Sequence, residues 1–412
     1  MANKPMQDKN TVQKDRHGDP SLSPLTKEHL WTKNFVCIWI INLMLIGWSF
    51  MLQATFPFYL IDLGANEMIV GATAAAASIA SIIMRPFSGW ILDNISRKFL
   101  LFAALIIFIA CLALMTLVPI LGFVIAFRVI TGFTNSAAST ASSTNAVDAI
   151  PPARFGEGLS HIGLGNTLGS ALGPSIGLTI MVAFGFPPLF ITGIAMLFLA
   201  AVTARVFTFR GIDKTKRKKF ILSNLFSAQA LPASTVQLLA SVPFGGLSIF
   251  IALYGEIYGV GNGAIFFVLL AAGSGISRLI SGRLIDKYGE RPMVIFGNAC
   301  YIIALITLMM LGSEAAYYIS GAVYGFGIGM LNPSMKTMAL RTVPPEKRGA
   351  GTSTFQILQD ISMGLGGLLA GALVTALGYR QMFGVLIIFV IISYFAYFLW
   401  AAKTPSAFRA DT

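Results

Sequence analysis

The sequence predicts an all-α polytopic membrane protein with twelve transmembrane helices in two pseudo-symmetric six-helix bundles. Of its 412 residues, 56% are hydrophobic and 11% are charged, whereas a soluble domain carries about 25% charged residues. This composition excludes an ordinary water-soluble protein. A helix that crosses a bilayer takes about 20 mostly apolar residues. Twelve stretches meet that length, over residues 35–60, 68–91, 99–118, 121–146, 157–183, 187–208, 233–255, 264–285, 293–312, 315–340, 349–376 and 381–401.

The lysine and arginine residues are distributed unevenly between the loops, and this predicts the orientation. The loops after the first, third, fifth, seventh and ninth spans contain none, and the loop after the eleventh contains only Arg380. The alternate loops and both termini are basic. Because cytoplasmic loops carry the excess of cations, we expect a multi-pass protein of the plasma (inner) membrane with both termini in the cytoplasm. The net charge of +12 then reflects this bias, and no nucleic-acid partner is expected.

The two halves of the chain repeat one another at a constant spacing. Segments 85–93 and 278–286 share Arg, Ser, Gly and Asp at equivalent places, 193 positions apart. Gly132 and Gly325 keep the same spacing. A register held this far predicts two six-helix halves of one orientation, an architecture known among secondary transporters. We expect a cytoplasmic tail over 1–33, bundles over 34–208 and 233–402, a basic cytoplasmic linker over 209–232 and a short tail over 403–412.

A charged motif follows the second span, and a copy of it follows the eighth. An aspartate just inside the headgroup region can accept hydrogen bonds from a neighbouring helix N-terminus or pair with an arginine. Such an interaction can hold one conformation until it breaks. The alternative is an ordinary set of charges at helix ends. The candidate conformational-lock residues are Gly89, Asp93, Arg97 and Lys98 in the first copy and Gly282, Asp286 and Arg291 in the second.

These two stretches resemble the loop signature of the major facilitator superfamily and its second-half copy. Ser96 in place of glycine and Glu290 in place of a cation depart from the family pattern. The fourth span contains Arg128 and Gly132, similar to a family motif that is associated with proton transfer; a structural arginine is the alternative. The resemblance covers roughly residues 35–401. It implies a monomeric secondary transporter that works by alternating access, with a small molecule bound in a central cavity.

The fifth span contains a glycine and proline motif made of Gly169, Gly173, Pro174 and Gly177. Proline bends a helix, and glycines four residues apart give a flat packing face. The motif is similar to one that marks the drug–proton antiporters of this superfamily, and a generic glycine-rich kink is the alternative. The resemblance implies proton-coupled efflux of drug-like compounds or of a small metabolite. A dedicated metabolite or metallophore exporter and a proton-coupled uptake symporter remain open.

Three residues are candidates for proton coupling. Asp360 is the only acid well inside a predicted span, and an unpaired carboxylate there favours its protonated form. His161 belongs to the residue type that changes charge near neutral pH, although a hydrogen-bonded structural histidine is the alternative. Arg128 is the third candidate, by resemblance. Asp360 has an alternative too, a structural pair with one of the intramembrane charges Arg85, Arg278 and Lys336.

Uncharged polar residues inside the spans are candidates for substrate contact. Such residues offer hydrogen bonds at a depth where water is scarce. The candidates for the substrate cavity are Asn42, Gln53, Asn135, Gln237 and Gln356.

The sequence predicts neither an enzyme nor a cofactor. No Gly-x-x-x-x-Gly-Lys-Ser/Thr loop occurs, so ATP is not expected to drive the protein directly. The chain has only three histidines, and Cys37, Cys111 and Cys300 lie far apart in apolar runs. We therefore expect no catalytic residues, no metal site and no disulfide. The expected partners are a small-molecule substrate, protons and the lipid bilayer.

The lock motif gives a first testable prediction. We expect Asp93→Asn to slow transport while the protein folds normally, because only an interaction that controls the conformational step is lost. Transport rate in vesicles and melting temperature in detergent measure the two effects separately. Transport at the wild-type rate would show that this motif is not a lock.

Overall fold

A computed structural model describes residues 29–151, 154–209, 226–310, 312–344 and 348–403 of the chain. These residues contain twelve helices of 21 to 30 residues and no β-strand. A one-turn helix at Ala228–Ala230 leads into the seventh long helix, and another at Ala401–Lys403 follows the last. The long helices are α1 Lys33–Asp62, α2 Glu67–Asn94, α3 Arg97–Leu117, α4 Leu121–Ala149, α5 Phe155–Phe184, α6 Phe186–Val206, α7 Leu231–Ile257, α8 Gly263–Tyr288, α9 Glu290–Met310, α10 Glu314–Arg341, α11 Arg348–Leu377 and α12 Tyr379–Leu399.

Each of the twelve predicted spans coincides with one of these helices, which confirms the all-α fold. The helix ends differ from the predicted ends by a few residues, because a helix continues into the polar interface where the apolar run has stopped. The caps show this directly: Asn66 precedes α2, and its side chain accepts a hydrogen bond from the Ile69 nitrogen at 2.9 Å. Most of the predicted tail 1–33, residues 210–225 of the linker and residues 404–412 lie outside the described residues.

The composition of the helices agrees with a multi-pass membrane protein. Eleven of the helices in the described residues are long and apolar enough to cross a bilayer. The twelfth, α10, falls short of that hydropathy because glycine, tyrosine and serine dilute its apolar residues. Large apolar side chains point outward, including Leu117, Val182 and Phe184, which are 75%, 79% and 72% exposed. Lipid tails are the solvent that suits such a surface.

Successive helices alternate in direction, so the bundle has two ends. We name the end where α1 begins the terminus side and the end where α1 stops at Asp62 the far side. The short connection at 63–66 lies on the far side, and the one between α2 and α3 lies on the terminus side. Depth along a helix can therefore be estimated from residue number, at about 1.5 Å per residue.

Glycines bring α1 and α5 into backbone contact. The predicted motif in the fifth span lies on this interface. Gly47 of α1 faces Gly169 and Gly173 of α5, and a Cβ atom added to Gly169 would lie 2.9 Å from the Gly47 nitrogen. Gly177 continues the stripe against Met51. Small residues at this spacing are what allows helix backbones to touch in lipid.

The repeat in the sequence is visible as repeated contacts. Gly132 of α4 packs against the Ala77 carbonyl of α2, and Gly325 of α10 packs against the Leu270 carbonyl of α8. Both members of the second pair lie 193 positions after their counterparts. Helices α2 and α4 therefore pack as α8 and α10 do.

Two interfaces join helices α1–α6 to helices α7–α12. At the first, Gly71 of α2 lies against Gly367 and Gly371 of α11. At the second, the Ser175 hydroxyl of α5 donates to the Ala264 carbonyl of α8 at 3.0 Å. These contacts lie towards the far side, so that end of the bundle is held together by close helix packing.

The α1–α5 interface gives a prediction about stability. We expect Gly173→Ala to lower the free energy of unfolding by on the order of 1–3 kcal/mol, because its Cβ atom would overlap the Gly47 carbonyl oxygen. Gly163→Ala is the matched control in the same helix, since a Cβ atom there meets nothing within 4 Å. Thermal unfolding in detergent measures both, and equal melting temperatures for the two variants would contradict the packing described.

Candidate functional site

A cavity of about 440 Å³ lies between the two sets of helices. Its walls come from α1, α2, α3, α4 and α5 on one side and from α7 and α11 on the other. Polar and charged side chains line it together with aromatic ones. The polar and charged lining residues are Ser49, Gln53, Ser78, Ser81, Arg85, Arg128, Asn135, Ser139, Thr140, Ser143, Asn166, Gln356, Gln359 and Asp360.

One face of α4 supplies much of the polar wall. Arg128, Gly132, Asn135, Ser139 and Ser143 are spaced by three or four residues, which places them on one side of a helix. All five line the cavity. The spacing is present in the sequence, so this stripe could have been identified before the structure.

Arg85 and Asp360 form an ion pair across the cavity wall. Arg85 belongs to α2 and Asp360 to α11, so the pair joins the two sets of helices. The Arg85 Nη2 group donates to Asp360 Oδ1 at 2.8 Å, and its Nε group donates to the other carboxylate oxygen. Arg85 Nη1 donates to Gln356 Oε1 at 3.1 Å, one turn away on α11. The two charged side chains are 17% and 21% exposed, so the pair is largely buried and two-pronged, the strong form of such a contact.

The repeat produces a weaker counterpart of this ion pair. Arg278 of α8 lies 193 positions after Arg85, and Thr167 of α5 lies 193 positions before Asp360. Arg278 Nη1 donates to the Thr167 hydroxyl at 3.0 Å. The same contact therefore exists at both interfaces, but a neutral hydroxyl replaces the carboxylate at one of them.

Arg128 is held without a carboxylate. Its Nη1 group lies 3.4 Å from the Thr131 hydroxyl of its own helix, and its guanidinium lies 5.2 Å from the centre of the Phe56 ring. The described residues place no acidic side chain within ion-pair distance of it. Arg128 is seven residues into α4, about 10 Å from the far-side end of that helix. Asp360 is seventeen residues from the far-side end of α11, about 25 Å.

Three of the uncharged candidates form hydrogen bonds at the cavity. Gln53 of α1 donates to the Ser248 hydroxyl of α7 at 2.8 Å, another link between the two sets. The Ser49 hydroxyl donates to Asn135 Oδ1 at 2.7 Å. Gln356 lines the cavity as well, beside Arg85.

Other predicted site residues lie away from this cavity. The His161 ring packs 5.0 Å from the Trp31 ring, near the terminus side. Asn42 is 5% exposed and accepts a hydrogen bond from Ser142, and Gln237 is 1% exposed and donates to Ser241 of its own helix. Lys336 is exposed on α10 and, with Arg278, is outside the lining of the cavity.

The candidate lock residues lie on the terminus side. Arg97, at the start of α3, forms an ion pair with Asp148 near the end of α4, a partner that the sequence did not indicate. Lys98 lies 5.8 Å from the Phe102 ring centre, and Arg291 lies 5.3 Å from that of Phe398. Gly89 has open space where a side chain would be. The structure describes the backbone at Asp93, Gly282 and Asp286 but not the surroundings of these three residues.

The described residues contain no cluster of three or more His, Cys, Asp or Glu side chains that could hold a metal ion. Several polar lining residues were not among the predicted site residues: Gln359, Asn166, Thr140 and the serines at 49, 78, 81, 139 and 143. The Oδ1 atom of Asn166 has no hydrogen-bond partner among the described residues. What this arrangement offers chemically is binding and charge compensation within the membrane.

Comparison with known proteins identifies the family. A family model of the Major Facilitator Superfamily matches residues 38–311 and 233–411. The chain is 24% identical over 385 residues to the multi-drug resistance efflux pump PmrA homolog of Lactococcus lactis subsp. lactis, covering 89% of this chain and 95% of that protein. It is 23% identical over 388 residues to the staphylopine export protein of Staphylococcus aureus, covering 88% and 95%.

A solved structure agrees on the fold. A bacterial homologue of the human lysosomal transporter Spinster, in an inward-facing and unoccupied conformation, superposes with a TM-score of 0.72 at 14% identity. The match covers 90% of this chain and 96% of that chain. The chain therefore belongs to the Major Facilitator Superfamily and is a secondary transporter, as its motifs predicted.

Proposed function

We propose that this transporter exports a small molecule from the cell in exchange for protons. The uneven distribution of Lys and Arg supports a plasma (inner) membrane location with the terminus side in the cytoplasm. The glycine and proline stripe of α5 and the names of the two relatives, one a drug efflux pump and one a metallophore exporter, support export. The working unit is a monomer. Residues 34–208 and 233–402 act as the two bodies that rock about the central cavity.

Asp360 carries the proton, and its ion pair with Arg85 is the observation on which this proposal depends. The carboxylate lies in the cavity wall, between the two helix sets that must separate and rejoin during transport. Protonation of a carboxylate oxygen neutralises Asp360 and removes its attraction for the Arg85 guanidinium. A single proton therefore changes the free energy that holds α2 against α11. Proton binding and helix movement are coupled by that difference.

The position of the Arg85–Asp360 ion pair between the two helix sets explains how substrate export is exchanged for proton entry. In the state open to the far side, a proton from outside binds Asp360 and releases Arg85, and the neutralised protein returns to the state open to the cytoplasm. There the proton leaves to the cytoplasm, and the carboxylate pairs again with Arg85, as in this structure. The cytoplasmic substrate then binds in the cavity and the cycle repeats. Arg128 and His161, the other two coupling candidates, are less suited to this role: Arg128 stays charged at any working pH, and His161 packs against Trp31 away from the cavity.

The charged loops act as a cytoplasmic lock in this proposal. The Arg97–Asp148 pair ties the start of α3 to the end of α4, next to Asp93 in the sequence motif. An ordered cluster of this kind would keep one set of helices rigid while it moves. The second copy, with Asp286 and Arg291, would act in the same way on the other set.

A dedicated metabolite exporter is the second candidate function. The similarity to the staphylopine export protein favours it, as does a cavity with many hydrogen-bonding side chains. The range of compounds that the protein exports distinguishes the two candidates.

Proton movement in inside-out vesicles tests the coupling. We expect a transported compound to drive protons out of an acidified lumen, and Asp360→Asn to abolish this release because an amide cannot take up the proton. Asp62→Asn is the matched control, since Asp62 is an exposed acid at the end of α1. The panel should include amphipathic cations, organic anions and polar metabolites. Proton release that persists in Asp360→Asn would rule out Asp360 as the proton carrier. If no compound of the panel causes proton release, that result would argue against broad drug export.

A double-mutant cycle tests the ion pair. We expect Arg85→Gln and Asp360→Asn each to lower the melting temperature. Each substitution removes one charge of the pair and leaves the other charge largely buried without its partner. The double variant should recover part of the loss, with a coupling free energy of about 0.5–3 kcal/mol. Arg205→Gln, an exposed arginine at the end of α6, combined with Asp360→Asn should show simple additivity. Additive effects for the Arg85 pair would contradict the contact.

A further inference from the structure

The cavity carries more positive than negative charge. Its charged lining residues are Arg85, Arg128 and Asp360, two cations and one anion among the described residues. Arg85 and Asp360 compensate each other through their ion pair. No acidic side chain among the described residues neutralises Arg128.

The surroundings of Arg128 make this charge available to a ligand. A guanidinium has five N–H donors, and the described residues supply one long hydrogen bond, 3.4 Å to the Thr131 hydroxyl. The Phe56 ring, 5.2 Å away, offsets part of the charge. A cation at membrane depth without an anionic partner is costly, and such residues typically face a water-filled cavity or a substrate pathway. Arg128 lines the cavity, so a bound anion would supply the partner that the protein lacks.

The rest of the cavity indicates what accompanies the anionic group. Asn135 lies seven residues beyond Arg128 on the same face of α4, and its Oδ1 atom accepts from Ser49, which leaves its N–H groups as donors. Phe50, Phe108 and Phe244 supply an apolar wall. Donors on one side and aromatic rings on another suit an amphipathic molecule with one anionic end.

We propose that the transported substrate is an organic anion whose carboxylate or phosphate group pairs with Arg128 while its apolar part lies against the phenylalanines of the cavity. This rests on the proposed function, and it names the substrate class for the same site. This proposal predicts that amphipathic cations bind more weakly than anions of the same shape, because the Arg128 guanidinium would repel them. The anionic group binds towards the far side of the cavity, away from the Arg85–Asp360 pair, so substrate and proton occupy separate places.

Binding to the purified protein tests this without a proton gradient. The probes are 4-phenylbutyrate, its neutral amide, the corresponding amine and phenyl phosphate, measured by titration calorimetry in detergent. We expect at least one of the two anions to bind roughly tenfold more tightly than the amide, and the amine to bind most weakly. The carboxylate and the phosphate probes distinguish the two anionic groups.

Variants connect the preference to the residue. We expect Arg128→Gln to remove the preference for the anion, Arg128→Lys to keep part of it, and Arg205→Gln, an exposed arginine outside the cavity, to leave it unchanged. Gel filtration and melting temperature establish that each variant is folded. Tightest binding of the amine, no binding of either anion, or an unchanged preference in Arg128→Gln would overturn the proposal. Because the binding measurement uses no proton gradient, its result does not depend on whether Asp360 carries the proton.

Discussion

The contact between Arg85 and Asp360 is the constraint on which the proposed mechanism depends. It is largely buried, it is two-pronged, and it joins α2 to α11 across the boundary between the two helix sets. Breaking a buried ion pair by removing one charge is strongly unfavourable, whereas the protein can remove that charge reversibly by protonation. Few other contacts between the sets have this property. The Gln53–Ser248 hydrogen bond, for example, involves groups that do not titrate.

Close helix packing is what brings these two charges together. Gly71 lies against Gly367 and Gly371, and Gly364 lies against Ser78, so α2 and α11 approach closely towards the far side. Glycine contacts allow the two backbones to approach closely but contribute little side-chain area to hold the helices together. The interface therefore suits a contact that opens and closes. At the equivalent interface between α5 and α8, Arg278 donates to the neutral Thr167 hydroxyl and Ser175 donates to the Ala264 carbonyl, so the two contacts involve no carboxylate.

The sequence was sufficient for the twelve helices and their repeat, because hydrophobic runs and register are local or periodic properties. It also identified Asp360 as unusual, but three basic residues were equally possible partners for it. The choice of Arg85 depends on how α2 and α11 approach, and the two residues lie 275 positions apart. Tertiary packing also decides which uncharged polar residues line the cavity, so residue type alone could not distinguish Gln53 from Asn42 and Gln237. Burial turns Asn42 and Gln237 into packing contacts and leaves Gln53 at the cavity.

The most direct measurement is the distance between the two helix sets on the terminus side as a function of pH. Thr208 and Lys287 are exposed positions on opposite helix sets. Spin labels at these two positions, in a variant whose three cysteines have been replaced, would report this distance by pulsed electron paramagnetic resonance. We expect the distance distribution to shift when the pH is lowered, because a proton on the carboxylate removes its attraction for Arg85. In Asp360→Asn we expect the low-pH distribution at every pH. A variant that still shifts with pH as the wild type does would show that another group controls the movement.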